Sequence, residues 1–315
     1  MRYLFAALLL LVTALSQGKE VAFTFDDAPR KATGYFDGPT RAKTLLQVLE
    51  THEIPQVAFF ANTSNLTGER LERLRRYGDA GHIIANHSHT HPNFNTQELQ
   101  AYIDDVNEAD QILRDFPTFK PWFRFPFLRE GNTAAKRNGM RKFLDEHGYI
   151  NAYITLNNYD WYIESLFQEA VAEGKRVDLD RLRRFYLDVM IAGIEYYDQM
   201  AIQHIGRSPK HILLMHEMDI SALFVGDLAD ALRNRGWSII SPEEAYTDDI
   251  ASYRTPSVLK YNAGRIGEIA YDKGQKTDLW HETLNEGYLR ARFTAEVLTP
   301  ETAPAGSRVK TPRAE

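Results

Sequence analysis

Apolar and polar positions along the chain fall into short alternating blocks. VAFTF (21–25), QVAFFAN (56–62) and HIIANH (82–87) are apolar runs of strand length, each bounded by polar residues. Between them, residues 39–52 carry Leu45, Leu46, Val48 and Leu49 at helical spacing, and GERLERLRRYGDAG (68–81) reads as a second helix. TQELQAYIDDVNEADQILRDF (96–116) is a longer helix, with Thr96 as its N-cap and Glu98 in its first turn. FRFPF (123–127), INAYITL (150–156) and HILLMH (211–216) read as further strands. SALFVGDLADALRNRG (221–236) is a helix ending at Gly236, and WSIIS (237–241) returns as the last strand. Strands that alternate with helices predict an α/β fold, built on a parallel sheet or an α/β barrel.

Three segments depart from this rhythm. Residues 1–18 have a basic start, an apolar run from Tyr3 to Leu15 and then small residues, the layout of a secretory leader. The run is short for a membrane span. Cleavage after Ser16 fits best, and cleavage after Gly18 also fits. The expectation is an exported protein, periplasmic or extracellular, with no stable membrane span once the leader is removed. Residues 161–208 are mostly helical and read as an insertion into an α/β domain over 19–245. Residues 246–315 form a C-terminal extension, and its polar, proline-containing end, TPETAPAGSRVKTPRAE, reads as disordered.

Composition narrows the classes. The 315 residues are 43% hydrophobic and 25% charged, which suits a globular protein with a sizeable core. A net charge of -6 and the lack of a basic run speak against a nucleic-acid partner. The absence of cysteine excludes disulfides, thiolate metal sites and cysteine nucleophiles.

Candidate chemistry gathers at strand ends, where α/β folds build their sites. Asp26 and Asp27 close the first strand. Strand alternation would turn them to different faces, so they can take different tasks around one centre, and a cation between them would relieve their repulsion. By itself such a pair also suits a helix N-cap or a solvated turn. NHSHTH (86–91) follows the third strand. His87 and His91 lie four positions apart, and two imidazoles with one carboxylate make a facial metal site with open positions. Pro92 argues for an irregular turn there rather than a helix. His89 would point away from its neighbours. Arg124 could pair with Asp26 or make a surface ion pair. Asp160 and Trp161 end another strand, and His216 ends the strand at 211–216. A histidine so placed suits proton transfer near neutral pH, or a buried structural role.

Taken in order, TFDDA (24–28), HSHTH (87–91), RFPF (124–127), NNYDW (157–161) and LMH (214–216) resemble the five motifs of the polysaccharide deacetylase family, also called the NodB-homology or carbohydrate esterase family 4 proteins. The resemblance spans about residues 20–245. It implies a deformed (β/α) barrel, here with a helical insertion and a C-terminal extension. It implies that Asp27, His87 and His91 hold one divalent metal ion, usually Zn2+, although such a donor set also admits cobalt, manganese or nickel. It assigns Asp26 as general base with Arg124 as its partner, and His216 as general acid oriented by Asp160. Trp161 and Leu214 would wall the acetyl methyl group, and the Phe127 N–H would join the metal at the oxyanion. The expected substrate is a glycan carrying N-acetyl groups, of peptidoglycan or chitin type. Acetyl-ester or small-amide hydrolysis, and sugar binding without catalysis, are the alternatives. Two residues depart from the family pattern: Ala28 stands where glycine is usual, and Asn157 where the fourth motif has its first acid. In the extension, Trp280 either packs the tail onto the domain, the reading preferred here, or stacks on a sugar.

Overall fold

The computed structural model describes residues 18–298. Residues 1–17 of the expected leader and the polar end of the extension, 299–315, lie outside the described residues. Seven parallel strands alternate with helices. They are β1 (Lys19–Ala28), β2 (Ala58–Ala61), β3 (Ile83–Asn86), β4 (Phe119–Phe123), β5 (Ile150–Asn151), β6 (Lys210–His216) and β7 (Trp237–Ile240). The sheet runs β5-β4-β3-β2-β1-β6, with β7 also paired to β1. Strand β6 pairs with β1 from Glu20 to Asp26, while β7 pairs with its first half and β2 with its second. The central strand is buried from Val21 to Asp26, which explains why apolar residues at successive positions, Val21, Ala22 and Phe23, serve both of its faces.

The sheet closes on itself. After β5 the chain stays extended, and Leu156 bridges to Leu213 on the free edge of β6. The N–H groups of Thr155 and Leu156 donate to Ile212 O, and Leu214 N–H donates to Leu156 O. The result is the irregular barrel expected from the strand–helix alternation. The strand expected over 150–156 is thus two paired residues and one bridge. The strand expected over 123–127 ends at Phe123, because the chain turns at Arg124. Its paired part lies earlier, in FKPWF. Ile84 pairs with Phe119 but Asn86 pairs with Phe123, and Pro121, with no N–H to offer, falls within that slip.

Helices α1 (Gly38–Thr51), α2 (Gly68–Asp79), α3 (Leu99–Leu113) and α4 (Ala134–Glu146) cover the first half of the barrel. Asp37 caps α1 through a bond from Thr40 N–H. Helix α3 starts later than its sequence suggests: Glu98 is the N-cap residue, and Thr96 instead donates its hydroxyl to Asn93 O. Helix α4 was not anticipated from the sequence. Helices α5 (Asp160–Ala172) and α6 (Leu179–Ile205) occupy the segment expected to be helical over 161–208, and α7 (Asp219–Arg233) precedes β7, its end marked by Gly236 at φ 80°. No helix among the described residues is long and apolar enough to cross a membrane.

The extension is structured over its described part. Short α8 (Pro242–Ala245) leads into it, followed by α9 (Arg265–Asp272) and α10 (Glu286–Glu296). Ile266, Ile269, Leu279, Leu284, Leu289 and Phe293 join the same core as the barrel strands. Burial, not local rhythm, holds this segment in place.

Beneath the start of the β1–α1 loop lies a buried ionic cluster. Glu217, fully buried, accepts from Arg30 N–H (2.7 Å), Tyr77 O–H (2.7 Å), Arg73 (3.2 Å) and Arg41 (3.4 Å). Arg41 also pairs with Asp219 at 2.6 Å and donates to the Arg30 and Lys31 carbonyls. The loop after Asp27 is therefore tied to the helices below it. Truncating one partner of such a cluster strands the others. Glu217→Ala is expected to lower unfolding free energy by about 3 kcal/mol, measured by urea denaturation.

Candidate functional site

The strand ends β1, β3, β4 and β6 deliver their chemistry to one cleft of about 700 Å3. It is lined by Asp26, Asp27, His87, His91, Phe127, Trp161, Leu214 and His216, among others. Arg124 and Asp160 stand behind this wall, each bonded to a residue in it. All ten sequence-selected residues thus meet around one centre.

The two acids separate by a route other than strand alternation. Asp26 follows the strand and is buried. Asp27 takes a left-handed backbone, φ 62°, which swings its carboxyl beside that of Asp26 and toward the histidines. Ala28 has no such conformation and packs in β1 against Ala61, so an L-residue is accommodated where the family usually has glycine.

Asp26 and Asp27 have different partners. Arg124 Nη1 donates to Asp26 Oδ1 at 2.7 Å and to Thr24 Oγ1 at 2.7 Å. Its Nε donates to Ala152 O, its Nη2 to the Tyr246 hydroxyl, and its guanidinium lies 3.9 Å from the centre of the Phe60 ring. Arg124 is thus a buried partner of Asp26, not a surface ion pair. Asp27 Oδ1 lies 3.2 Å from His91 Nε2 and 3.7 Å from His87 Nε2, while Arg30 donates to Oδ2 at 3.0 Å. Burial raises the Asp27 pKa, but His216, His91, His87 and Arg30 outweigh it and take it to about 2.

The donor atoms of Asp27, His87 and His91 lie within 4.8 Å of one another. Their chemistry suits a divalent cation. His87 Nδ1 is bonded to Arg124 O at 2.8 Å, which leaves Nε2 facing the site. Burial, with His87 beside it, lowers the His91 pKa to about 4, so its ring is neutral and free to ligate. The turn that carries both histidines is irregular, as Pro92 suggests, with Ser88 at φ 72° and His91 at φ 57°. Asn86 holds it: its Oδ1 accepts from Ser88 N–H, and its Nδ2 donates to Val106 O and the Tyr149 hydroxyl. His89 points elsewhere, bonding Thr63 Oγ1 and lying 3.3 Å from Glu108.

Across the cleft, His216 Nδ1 bonds Asp160 Oδ1 at 2.8 Å, and His216 N–H donates to Asp160 Oδ2 at 2.8 Å. Asp160, fully buried, is fixed in turn by Asn158 Oδ1, which accepts its N–H. Burial lowers the His216 pKa, but Asp160 outweighs that and leaves it above its ordinary value. Phe127, at φ 55°, packs its ring 4.5 Å from that of His91. Asn157 lines the cleft where the family pattern has an acid.

The extension supplies a wall of the cleft, of which its sequence signalled only Trp280, as the less favoured sugar-stacking reading. Tyr261, Asn262, Trp280 and Leu284 all border the cleft. Leu279, 5% exposed, packs the tail, whereas Trp280 is 41% exposed and faces the cleft. The preferred reading of Trp280 as a packing residue is therefore corrected. Tyr246, at the start of the extension, reaches Arg124 and donates to Tyr153 O. Asn86, Asn158 and Tyr246 were not singled out from the sequence. The first two sit beside the motif residues, as polar residues at apolar strand ends, and could have been found. Tyr246 carries no comparable signal.

Comparison with known proteins agrees with this geometry. Residues 15–143 match the sequence model of the polysaccharide deacetylases. A peptidoglycan-N-acetylglucosamine deacetylase from Bacillus cereus is 27% identical over 146 residues, covering 45% of this chain and 46% of the relative. A chitin deacetylase from Colletotrichum lindemuthianum is 27% identical over 113 residues, covering 34% and 42%. The chain spans less than half the length of these curated relatives. The solved structure of the chitin deacetylase from the fungal pathogen Colletotrichum lindemuthianum superposes with a TM-score of 0.51 at 18% identity, covering 77% of this chain and 96% of that one. It shares the fold. The match to the family model ends before Asp160 and His216, so their placement rests on the geometry above.

The site makes a direct prediction about metal. His87→Ala is expected to abolish stoichiometric binding of a divalent cation, while Asp26→Asn retains it. Equilibrium dialysis with elemental analysis checks both.

Proposed function

We propose that the protein is an exported, metal-dependent deacetylase acting on N-acetylglucosamine units of a peptidoglycan- or chitin-type glycan. One observation carries this reading: a His-His-Asp donor set and an Asp160–His216 pair flank the Arg124-bound Asp26 within one cleft. The leader read over residues 1–18 supports export to where such polymers lie.

A cation held by Asp27, His87 and His91, Zn2+ in the first instance, would polarise the acetamide carbonyl and a water beside it. Asp26 takes a proton from the attacking water, its carboxylate oriented by Arg124 through Oδ1 and its Oδ2 turned to the histidine side. The Phe127 N–H donates to the oxyanion that develops on the carbonyl. Trp161 and Leu214 enclose the acetyl methyl group. His216 then protonates the departing nitrogen, since an amide nitrogen leaves poorly as an anion. Its Nδ1 is held by Asp160, so Nε2 carries the proton that is transferred. Acetate and a free amino sugar result. The Asp160–His216 pair favours amide over ester hydrolysis, because an ester needs less help in leaving.

The test is acetate release by the metal-loaded protein from peptidoglycan, N-acetylglucosamine oligomers and acetylated xylan. Asp26→Asn is expected to lower kcat at least about 100-fold, the scale of a lost general base. Near-normal turnover in that variant would remove Asp26 from the role. The pH profile adds a second check. The raised His216 pKa keeps the acid protonated to higher pH, so activity is present below that pKa and lost as pH rises through it. Removing the Asp160 charge lowers the pKa. Asp160→Asn is therefore expected to move the alkaline limb of kcat/KM to lower pH; an unmoved limb would exclude His216 as the acid.

A further inference from the structure

Two arginines line the cleft, and their partners differ. Arg30 is held by Asp27. Arg129 has no described carboxylate in ion-pair range. Its chain neighbour Glu130 is turned away, to Asn151 and Arg141. The Arg129 guanidinium instead lies 4.2 Å from the centre of the Tyr261 ring. Stacking on a ring engages the face of a guanidinium and leaves its in-plane N–H donors free. A half-buried cation without a counter-charge is costly, and a ligand that brings an oxyanion relieves that cost. The free donor edge has the fork geometry that matches a carboxylate.

The surroundings are those of a sugar site. Tyr261 and Trp280 are among the few large apolar side chains left exposed, 53% and 41%, and both border the cleft. Their rings can pack against the C–H face of a pyranose. Tyr261 is not a loose loop tip. Its neighbour Asn262 donates to Glu268 and accepts from Gly264 N–H. Gly264, at φ 97°, lies so close to Ile154 that a Cβ would come within 2.9 Å of Ile154 O. The wall is therefore fixed to the barrel. With a net charge of -6, the protein as a whole repels an acidic polymer, so any attraction must be local.

We infer that Arg129, Tyr261 and Trp280 form a subsite for a carboxylate-bearing sugar adjacent to the residue that is deacetylated. The inference rests on the deacetylase reading and specifies its substrate: an acidic N-acetylated glycan, not a neutral one. The carboxylate could be the lactyl group of a muramic acid or a uronic acid, which present the same chemistry.

The experiment compares matched substrates. Strands of alternating N-acetylglucosamine and N-acetylmuramic acid, freed of peptide, are assayed beside the same strands with their carboxylates converted to methylamides. Oligomers alternating N-acetylglucosamine with glucuronate, as acid and as methylamide, form the second arm. The metal-loaded wild-type protein is expected to favour the acid form by about tenfold in kcat/KM, the scale of one charge-assisted hydrogen bond. Arg129→Ala is expected to bring the ratio near one, and Arg129→Lys to restore part of it. Preference in one arm only identifies the carboxylate; preference in both assigns the subsite to carboxylates generally. A wild-type ratio near one in both arms, or a ratio unchanged in Arg129→Ala, overturns the inference. Calorimetric binding of the same pairs to Asp26→Asn separates the two claims. No acetate release from any strand, with an Arg129-dependent preference retained in binding, would defeat the deacetylase reading and leave the subsite standing.

Discussion

Two adjacent carboxylates at a buried strand end cannot persist without compensation, and the Arg124–Asp26 pair is the interaction that provides it. One guanidinium, almost wholly buried, crosses from the end of β4 to the end of β1. The same group binds Ala152 O, where the chain leaves β5 to close the barrel, and the Tyr246 hydroxyl, where the extension begins. Barrel closure, tail attachment and the orientation of Asp26 therefore share one side chain. With Asp26 so held, Asp27 is left to the histidines, and its left-handed backbone carries it there.

A second layer of polar contacts fixes the loops rather than the strands. Asn86 shapes the turn that presents His87 and His91, and Asn158 anchors the Asp160 that holds His216. Glu217, next to His216 in the chain, turns the other way and ties down the loop after Asp27. Neighbours in sequence thus serve opposite sides of the same floor. Each buried polar atom in this layer has a fixed partner, which restricts the site to one geometry.

Much of the site was legible because its chemistry is local. The apolar runs ending in DD, H, R and H mark strand ends, and a parallel α/β fold brings strand ends together. The spacing of His87 and His91 within one short turn is a local property that their sequence carries. The strand limits at 123–127 and 150–156 were misjudged for a physical reason. Apolar residues at a barrel's seam are buried whether or not they pair, so burial alone does not mark the ladder. The late start of α3 at Leu99, with Glu98 and not Thr96 as N-cap residue, reflects a Thr96 hydroxyl bonded instead to the Asn93 carbonyl.

The sequence by itself determined the fold class, the order of the strand-end motifs and the identity of the acids, histidines and arginine that meet in the cleft. Tertiary structure decided which acid faces which partner, because that depends on one positive φ at Asp27 and on an arginine remote in sequence. It also decided the role of the extension. Nothing in the spacing of Tyr246, Tyr261 and Trp280 relates them to motifs far earlier in the chain. Only the burial of Leu279, Leu284, Leu289 and Phe293 against the common core brings that segment to the cleft. Hydrophobic burial is non-directional, so the pattern shows that such residues will be buried without showing which surface receives them.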